Sequence, residues 1–127
     1  MQIQMTHVGV YTMDLERLRA FYETYFQAES NAKYEHDGFS SYFLRFSDGA
    51  RMELMSHTRL THWEPQEYVN GISHLAFSLG SREAVTALTE RLVRDGYPLL
   101  SPLRDTGDGY FESCIGDPDG NRIELTI

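Results

Sequence analysis

Lysine is almost missing from this chain. Lys33 is the only one among 127 residues, and no run of arginine compensates for it. With 11 basic against 19 acidic side chains, the net charge is −8. Nucleic acid is therefore excluded as a partner, because phosphate binding draws on clustered cations. Solubility is reason enough for the acidity. Cysteine is nearly absent too: Cys114 stands alone, so no intrachain disulfide forms and a reducing compartment, the cytoplasm, is expected. No stretch approaches the length of apolar residues that a membrane span requires. The opening Met1-Gln2-Ile3-Gln4-Met5 lacks both a basic segment and a long apolar one, so no secretory signal is expected. What the chain does have is aromatic residues, 13% of its length, within an apolar content of 41%. That suits a β-rich fold of one domain, or two small modules sharing a core.

The chain contains itself twice. Asp48-Gly49-Ala50-Arg51-Met52-Glu53-Leu54 reads against Asp119-Gly120-Asn121-Arg122-Ile123-Glu124-Leu125, and Thr6-His7-Val8-Gly9-Val10 reads against Ser73-His74-Leu75-Ala76-Phe77. Each half runs from a hydroxyl-histidine step through a strand and a capped helix to further strands. In the first, alternation predicts a strand over Ile3 to Tyr11, and Asp14 caps a helix running to Phe26. Its apolar stripe is Leu15, Leu18, Phe21, Tyr22, Tyr25 and Phe26. Strands follow over Ser40 to Phe46 and Arg51 to Ser56, turned by Ser47-Asp48-Gly49. In the second, a strand over Ile72 to Leu79 leads to a helix capped by Ser81, with Ala84, Val85, Leu88 and Leu92 on its core face and an end at Asp95-Gly96. Strands over Leu99 to Leu103, Tyr110 to Ile115 and Arg122 to Ile127 complete it, with Asp117-Pro118-Asp119-Gly120 as a turn. The expected fold is α+β: two βαβββ modules in pseudo-symmetric tandem, residues 1–57 and 71–127, joined by a linker over 58–70. Curved mixed sheets would form a cleft, with the helices outside.

Strand alternation places four residues on the sheet faces away from the helices: His7 and His74 on the first strands, Glu53 and Glu124 on the last. One such residue alone is an ordinary polar strand residue, and Glu beside Arg, as at Arg51/Glu53 and Arg122/Glu124, makes a surface ion-pair ladder. Recurrence at equivalent positions points instead to a joint site. Two imidazoles and two carboxylates suit one divalent ion such as Ni²⁺, Zn²⁺, Co²⁺ or Mn²⁺, with positions left open for substrate or water.

At these residues the chain resembles the vicinal oxygen chelate superfamily, and within it the glyoxalase I-like branch. The resemblance rests on His7-Val8-Gly9-Val10, on Asp14-Leu15-Glu16 with the helix through Phe21-Tyr22, and most specifically on Asp117-Pro118-Asp119-Gly120-Asn121-Arg122-Ile123-Glu124-Leu125. It implies paired βαβββ modules around a metal held by His7, Glu53, His74 and Glu124. It also implies an isomerase or lyase reaction, in which a small thiohemiacetal or hydroxyketone passes through a metal-bound enediolate. Glu124 is then the base, and Glu53 a ligand with a second proton-transfer role. Where that family places an Arg after the first His and an Asn after the first Glu, to hold glutathione, this chain has Tyr11 and His57. The substrate-binding positions are thus retained in place but changed in chemistry, which argues for a thiol carrier other than glutathione. Tyr11 as an ordinary strand tyrosine is the competing reading. The resemblance also implies a homodimer, with the metal within one chain or between two.

Two alternatives stand beside the enzyme: a non-catalytic, bleomycin resistance-type protein that sequesters a small molecule, and a metal-dependent thiol transferase. Other residues read more plainly. Cys114 is a small core residue, and His36 and His62 lie solvated in loops. Thr106-Gly107-Asp108-Gly109 is a hairpin turn or a flap, since neither a helix nor a lysine follows it as a phosphate loop would require.

Overall fold

Two helices begin where a short polar side chain caps them. Asp14 accepts a hydrogen bond from the Arg17 N–H at 3.1 Å and opens α1, Leu15–Phe26. Ser81 accepts one from the Ala84 N–H at 3.1 Å and opens α2, Arg82–Arg94. Around them the computed structural model, which describes residues 1–64 and 66–127, forms two units, Met1–Trp63 and Glu64–Ile127. Pro65, part of the expected linker, lies outside the described residues.

The first unit runs β1 (Val8–Tyr11), α1, β2 (Glu29–Ser30), β3 (Tyr34–His36), β4 (Phe39–Arg45) and β5 (Arg51–His57). Its sheet has the order β1-β5-β4-β2, and β3 also pairs with β4. The second runs β6 (Leu75–Ser78), α2, β7 (Leu99–Asp105), β8 (Phe111–Gly116) and β9 (Arg122–Thr126), in the order β6-β9-β8-β7. In both, the first strand runs parallel to the last and every other pairing is antiparallel. The fold is α+β, two tandem modules of one plan.

The turn motifs show why the plan repeats. Gly49 (φ 89°) and Gly120 (φ 83°) occupy the left-handed region that favours glycine, one residue before each Ala50-Arg51 or Asn121-Arg122 step into the last strand. Asp48 accepts from the Ala50 N–H. Asp117, buried, does more: Oδ1 accepts from the Asp119 and Asn121 N–H groups and Oδ2 from the Asn121 amide, all at 2.9 Å. Each last strand then sends its alternate apolar residues under the helix. Met52 and Leu54 do so in the first unit, beside Leu18 and Tyr22 of α1; Ile123 and Leu125 do so in the second, beside Val85 and Leu92 of α2. Fully burying each such side chain stabilises the fold by roughly 1.5–3 kcal/mol.

Two expectations, the starts of the first strands and the place of His36, need correction, and two features go beyond the expected plan. Strand pairing starts at Val8 and Leu75, so His7 and His74 each stand one residue before a first strand, and Ile3–Thr6 and Ile72–Ser73 lie outside the strands. The second strand of the first unit is broken into β2 and β3, both short and both paired to β4. His36 consequently ends β3 rather than lying in a loop, although it is exposed, 3.2 Å from the Asp37 carboxylate. Finally, Thr89 is part of the buried face of α2. Its hydroxyl donates to the Val85 carbonyl at 2.6 Å and lies 2.7 Å from the Ser113 hydroxyl, so burial leaves neither group unsatisfied.

Candidate functional site

Each unit brings one histidine to one glutamate by the same register. In the first, Gly9 of β1 is aligned with Glu53 of β5, and His7 lies two residues earlier on the same side of the sheet. His7 Nε2 is 3.7 Å from Glu53 Oε1. In the second, Ala76 of β6 is aligned with Glu124 of β9, and His74 again lies two residues earlier. His74 Nε2 is 3.3 Å from Glu124 Oε2. The carboxylates are mostly covered, with 18% and 22% of each side chain exposed, while the imidazoles are more open at 33% and 41%.

The other ring nitrogen is committed in the same way in both units. Thr6 Oγ1 is 2.8 Å from His7 Nδ1, and Ser73 Oγ is 3.0 Å from His74 Nδ1. In the tautomer whose Nδ1–H donates to that hydroxyl, the Nε2 lone pair faces the glutamate oxygen. A first-row divalent ion requires such a neutral imidazole nitrogen and carboxylate oxygen together. Each pair, His7 with Glu53 and His74 with Glu124, therefore offers donor types that a divalent metal takes. Each unit supplies one such pair; among the described residues, no three His, Cys, Asp or Glu side chains are arranged to hold a metal ion.

The surroundings differ between the units. Beside Glu53 they are largely apolar. Phe43 of β4 is paired directly with Glu53, and its ring meets the His7 imidazole edge-on at 5.0 Å and 81°. Met55, also on the Glu53 side, reaches across Gly9: a Cβ at that glycine would lie 2.9 Å from the Met55 terminal methyl. Tyr11, aligned with Met55, is exposed on the same side. His57 continues that alternation at the end of β5, where its Nδ1 accepts from the Arg59 N–H at 2.9 Å.

Beside Glu124 the setting is polar. Cys114 holds the position equivalent to Phe43 and Glu112 the one equivalent to Ser41. Cys114 is buried, as expected of a small core residue, and it lies on the Glu124 side of the sheet rather than under α2. Burial pushes its thiol pKa up, with Arg122 acting the other way. Glu112 is a residue that the sequence did not mark. Only 13% of its side chain is exposed, and Arg104 Nη2 donates to its Oε1 at 3.0 Å. Burial holds its carboxyl above the usual range, reinforced by a hydrogen bond with Glu124 and by that residue's charge, and opposed by Arg104. Its parity with Glu124 across β8 and β9 was the available signal.

Comparison with known proteins identifies the family and the fold. A family model described as "Glyoxalase: Glyoxalase/Bleomycin resistance protein/Dioxygenase superfamily" matches residues 4–125. The uncharacterized protein YqjT of Bacillus subtilis is 31% identical over 126 residues, covering 95% of this chain and 96% of that protein. A glyoxylase/bleomycin resistance protein/dioxygenase domain from Frankia sp. EAN1pec superposes with a TM-score of 0.86 at 20% identity, covering 100% of this chain and 98% of that one. The trypanothione-dependent glyoxalase I of Leishmania major gives a TM-score of 0.76 at 23% identity, over 98% of this chain and 86% of that one. These two structural likenesses speak to the fold.

Proposed function

The chain belongs to the glyoxalase/bleomycin resistance protein/dioxygenase superfamily, and from that premise we propose that it is a metal-dependent, glyoxalase I-like lyase or isomerase of a small molecule with two adjacent oxygens. The observation that carries this reading is the doubled pairing, His7 with Glu53 and His74 with Glu124, built on one register in both units. A plain ion-pair ladder gives no reason for the same two residue types to recur at both positions with the same hydroxyl behind each imidazole.

The four residues would together hold one divalent ion, within one chain or between two, and that ion would supply Lewis-acid stabilisation of negative charge developing on the substrate oxygens. Glu124 carries a proton from one carbon to its neighbour, as general base and then as general acid. Glu53 serves as a ligand and as a second proton carrier. Phe43 and Met55 keep water from one side of Glu53, while Tyr11 and His57 orient the substrate. With neither Arg nor Asn at those two places, a thiol other than glutathione is the better carrier. The protein acts as a homodimer in a reducing compartment such as the cytoplasm. Its single, buried, unpaired cysteine suits that setting, and among the described residues no helix is long and apolar enough to cross a membrane.

The test is turnover of thiohemiacetals, made from a 2-oxoaldehyde and a panel of small thiols, by metal-stripped protein reloaded with Ni²⁺, Zn²⁺, Co²⁺ or Mn²⁺. Metal-dependent isomerisation that is lost in Glu124→Gln is expected. Tight binding of small molecules with no turnover under any metal would turn the reading toward a sequestering protein. Isomerisation keeps the thiol as a thioester; thioether formation from a thiol and an added electrophile, with no thioester made from any thiohemiacetal, would turn it toward a transferase.

A further inference from the structure

His7 lies outside strand β1, so ladder hydrogen bonds do not hold its backbone and something else must set its imidazole. Two contacts are in place. Thr6 Oγ1 lies 2.8 Å from Nδ1, a single hydrogen bond that leaves the ring able to rock about it. The second contact is the Phe43 ring, edge-on at 5.0 Å with an interplanar angle of 81°, in the T-shaped arrangement that aromatic quadrupoles favour. Phe43 is itself held. It is paired with Glu53 across the central strands, and the Arg51 guanidinium lies over its ring, 5.1 Å from the centroid. Arg51, Phe43 and His7 therefore form a series of contacting groups that ends at the imidazole facing Glu53.

We propose that Phe43 is a positioning residue for His7, the group that sets the imidazole plane so that Nε2 faces Glu53. It rests on the metal reading above only for its consequence; the contact itself is a property of the metal-free chain. The second unit supplies an internal control. Cys114 occupies the corresponding place opposite Glu124, so the position that holds the Phe43 ring in the first unit carries no ring in the second, where Ser73 meets His74 Nδ1.

The experiment compares the metal-free full chain with Phe43→Leu, Phe43→Tyr and Cys114→Ala by ¹⁵N-edited NMR of the imidazole rings, followed by calorimetric titration with Ni²⁺. In Phe43→Leu the ring-current displacement of the His7 ring protons disappears while the His74 signals stay in place. Phe43→Tyr keeps the displacement, and Cys114→Ala leaves both sets unmoved. Nickel affinity then falls by roughly twofold to tenfold in Phe43→Leu, the range an aromatic pair supports, and is restored in Phe43→Tyr. His7 signals that do not respond to Phe43→Leu would overturn the proposal whatever the metal does. So would a response without any loss of affinity in a protein that binds nickel. If the unmodified chain binds no metal, the ligand reading fails by itself, and ¹⁵N relaxation of the His7 ring, expected to show greater mobility in Phe43→Leu than in the parent and in Phe43→Tyr, still decides whether Phe43 sets the imidazole. The backbone amide spectrum separates either result from unfolding, and Phe43→Tyr tests the ring should Phe43→Leu fail to fold.

Discussion

The first unit borders its His7–Glu53 pair with a phenylalanine, a methionine and an exposed tyrosine, whereas the second borders His74–Glu124 with a cysteine, a second glutamate and that glutamate's arginine. The same strand register underlies both. The repeat therefore governs where the His and Glu side chains sit, while the residues on neighbouring strands govern what environment they meet. One half sets apolar side chains beside its carboxylate. In the other, the carboxylate belongs to a polar network through Glu112 and Arg104. A similar contrast holds under the helices. Tyr42 donates from β4 to the Glu16 carboxylate on α1 at 2.8 Å, and at the equivalent place Ser113 of β8 meets Thr89 on α2 at 2.7 Å.

If the two halves differ in this way, the largest separation appears in catalysis. Glu124→Gln lowers kcat by about 10²–10⁴-fold, the usual contribution of a general base, whereas Glu53→Gln acts mainly through metal affinity. Steady-state assays of both variants at saturating metal would reveal it, and equal losses in kcat would erase the distinction. Where the repeat is shared, the halves should agree: Leu54→Ala and Leu125→Ala, both at fully buried sites, each cost about 2–5 kcal/mol in urea denaturation. A smaller effect separates two glycines. A Cβ at Gly116 would meet the Pro98 ring at 2.8 Å, so Gly116→Ala costs about 1–3 kcal/mol; at Gly9 the obstacle is the movable end of Met55, and Gly9→Ala costs a fraction of that.

The smallest effect is a pH dependence confined to the second unit. The folded chain holds the Glu112 proton more tightly than the unfolded chain does. This favours the folded state below the ordinary glutamate range, and the advantage is lost as pH rises through the raised folded value. Glu112→Gln removes that titration. The denaturation midpoint of the metal-free variant should therefore gain on the parent as pH increases from roughly 4 to 7. A gap that narrows over that range would contradict the shift.

Much of this was legible in the residues. The two Asp-Gly-x-Arg-apolar-Glu-Leu stretches bring Glu53 and Glu124 into one register because a turn glycine, a strand and a period of two leave little freedom. Asp14 and Ser81 announced their helices through capping chemistry. The broken strand was not legible, since two- and three-residue pieces are too short to show a period. The strand limits before Val8 and Leu75 were not either, because alternation continues through Ile3–Thr6, where the sheet offers no pairing partner. Glu112 escaped notice because a charged strand residue reads as solvated unless its cross-strand neighbours are known. The Thr89–Ser113 link escaped for the same reason, as each hydroxyl is satisfied through a residue far away in the chain.

Whether the two His–Glu pairs serve one metal, as proposed, is tested most directly by calorimetric titration of the metal-stripped protein with Ni²⁺, Zn²⁺, Co²⁺ and Mn²⁺, run beside His7→Ala and His74→Ala. One ion per chain is predicted, with affinity reduced in each variant by more than the roughly tenfold that loss of even an outer hydrogen-bond partner costs. Absence of binding to all four ions, or binding that only one of the two histidines controls, would contradict it.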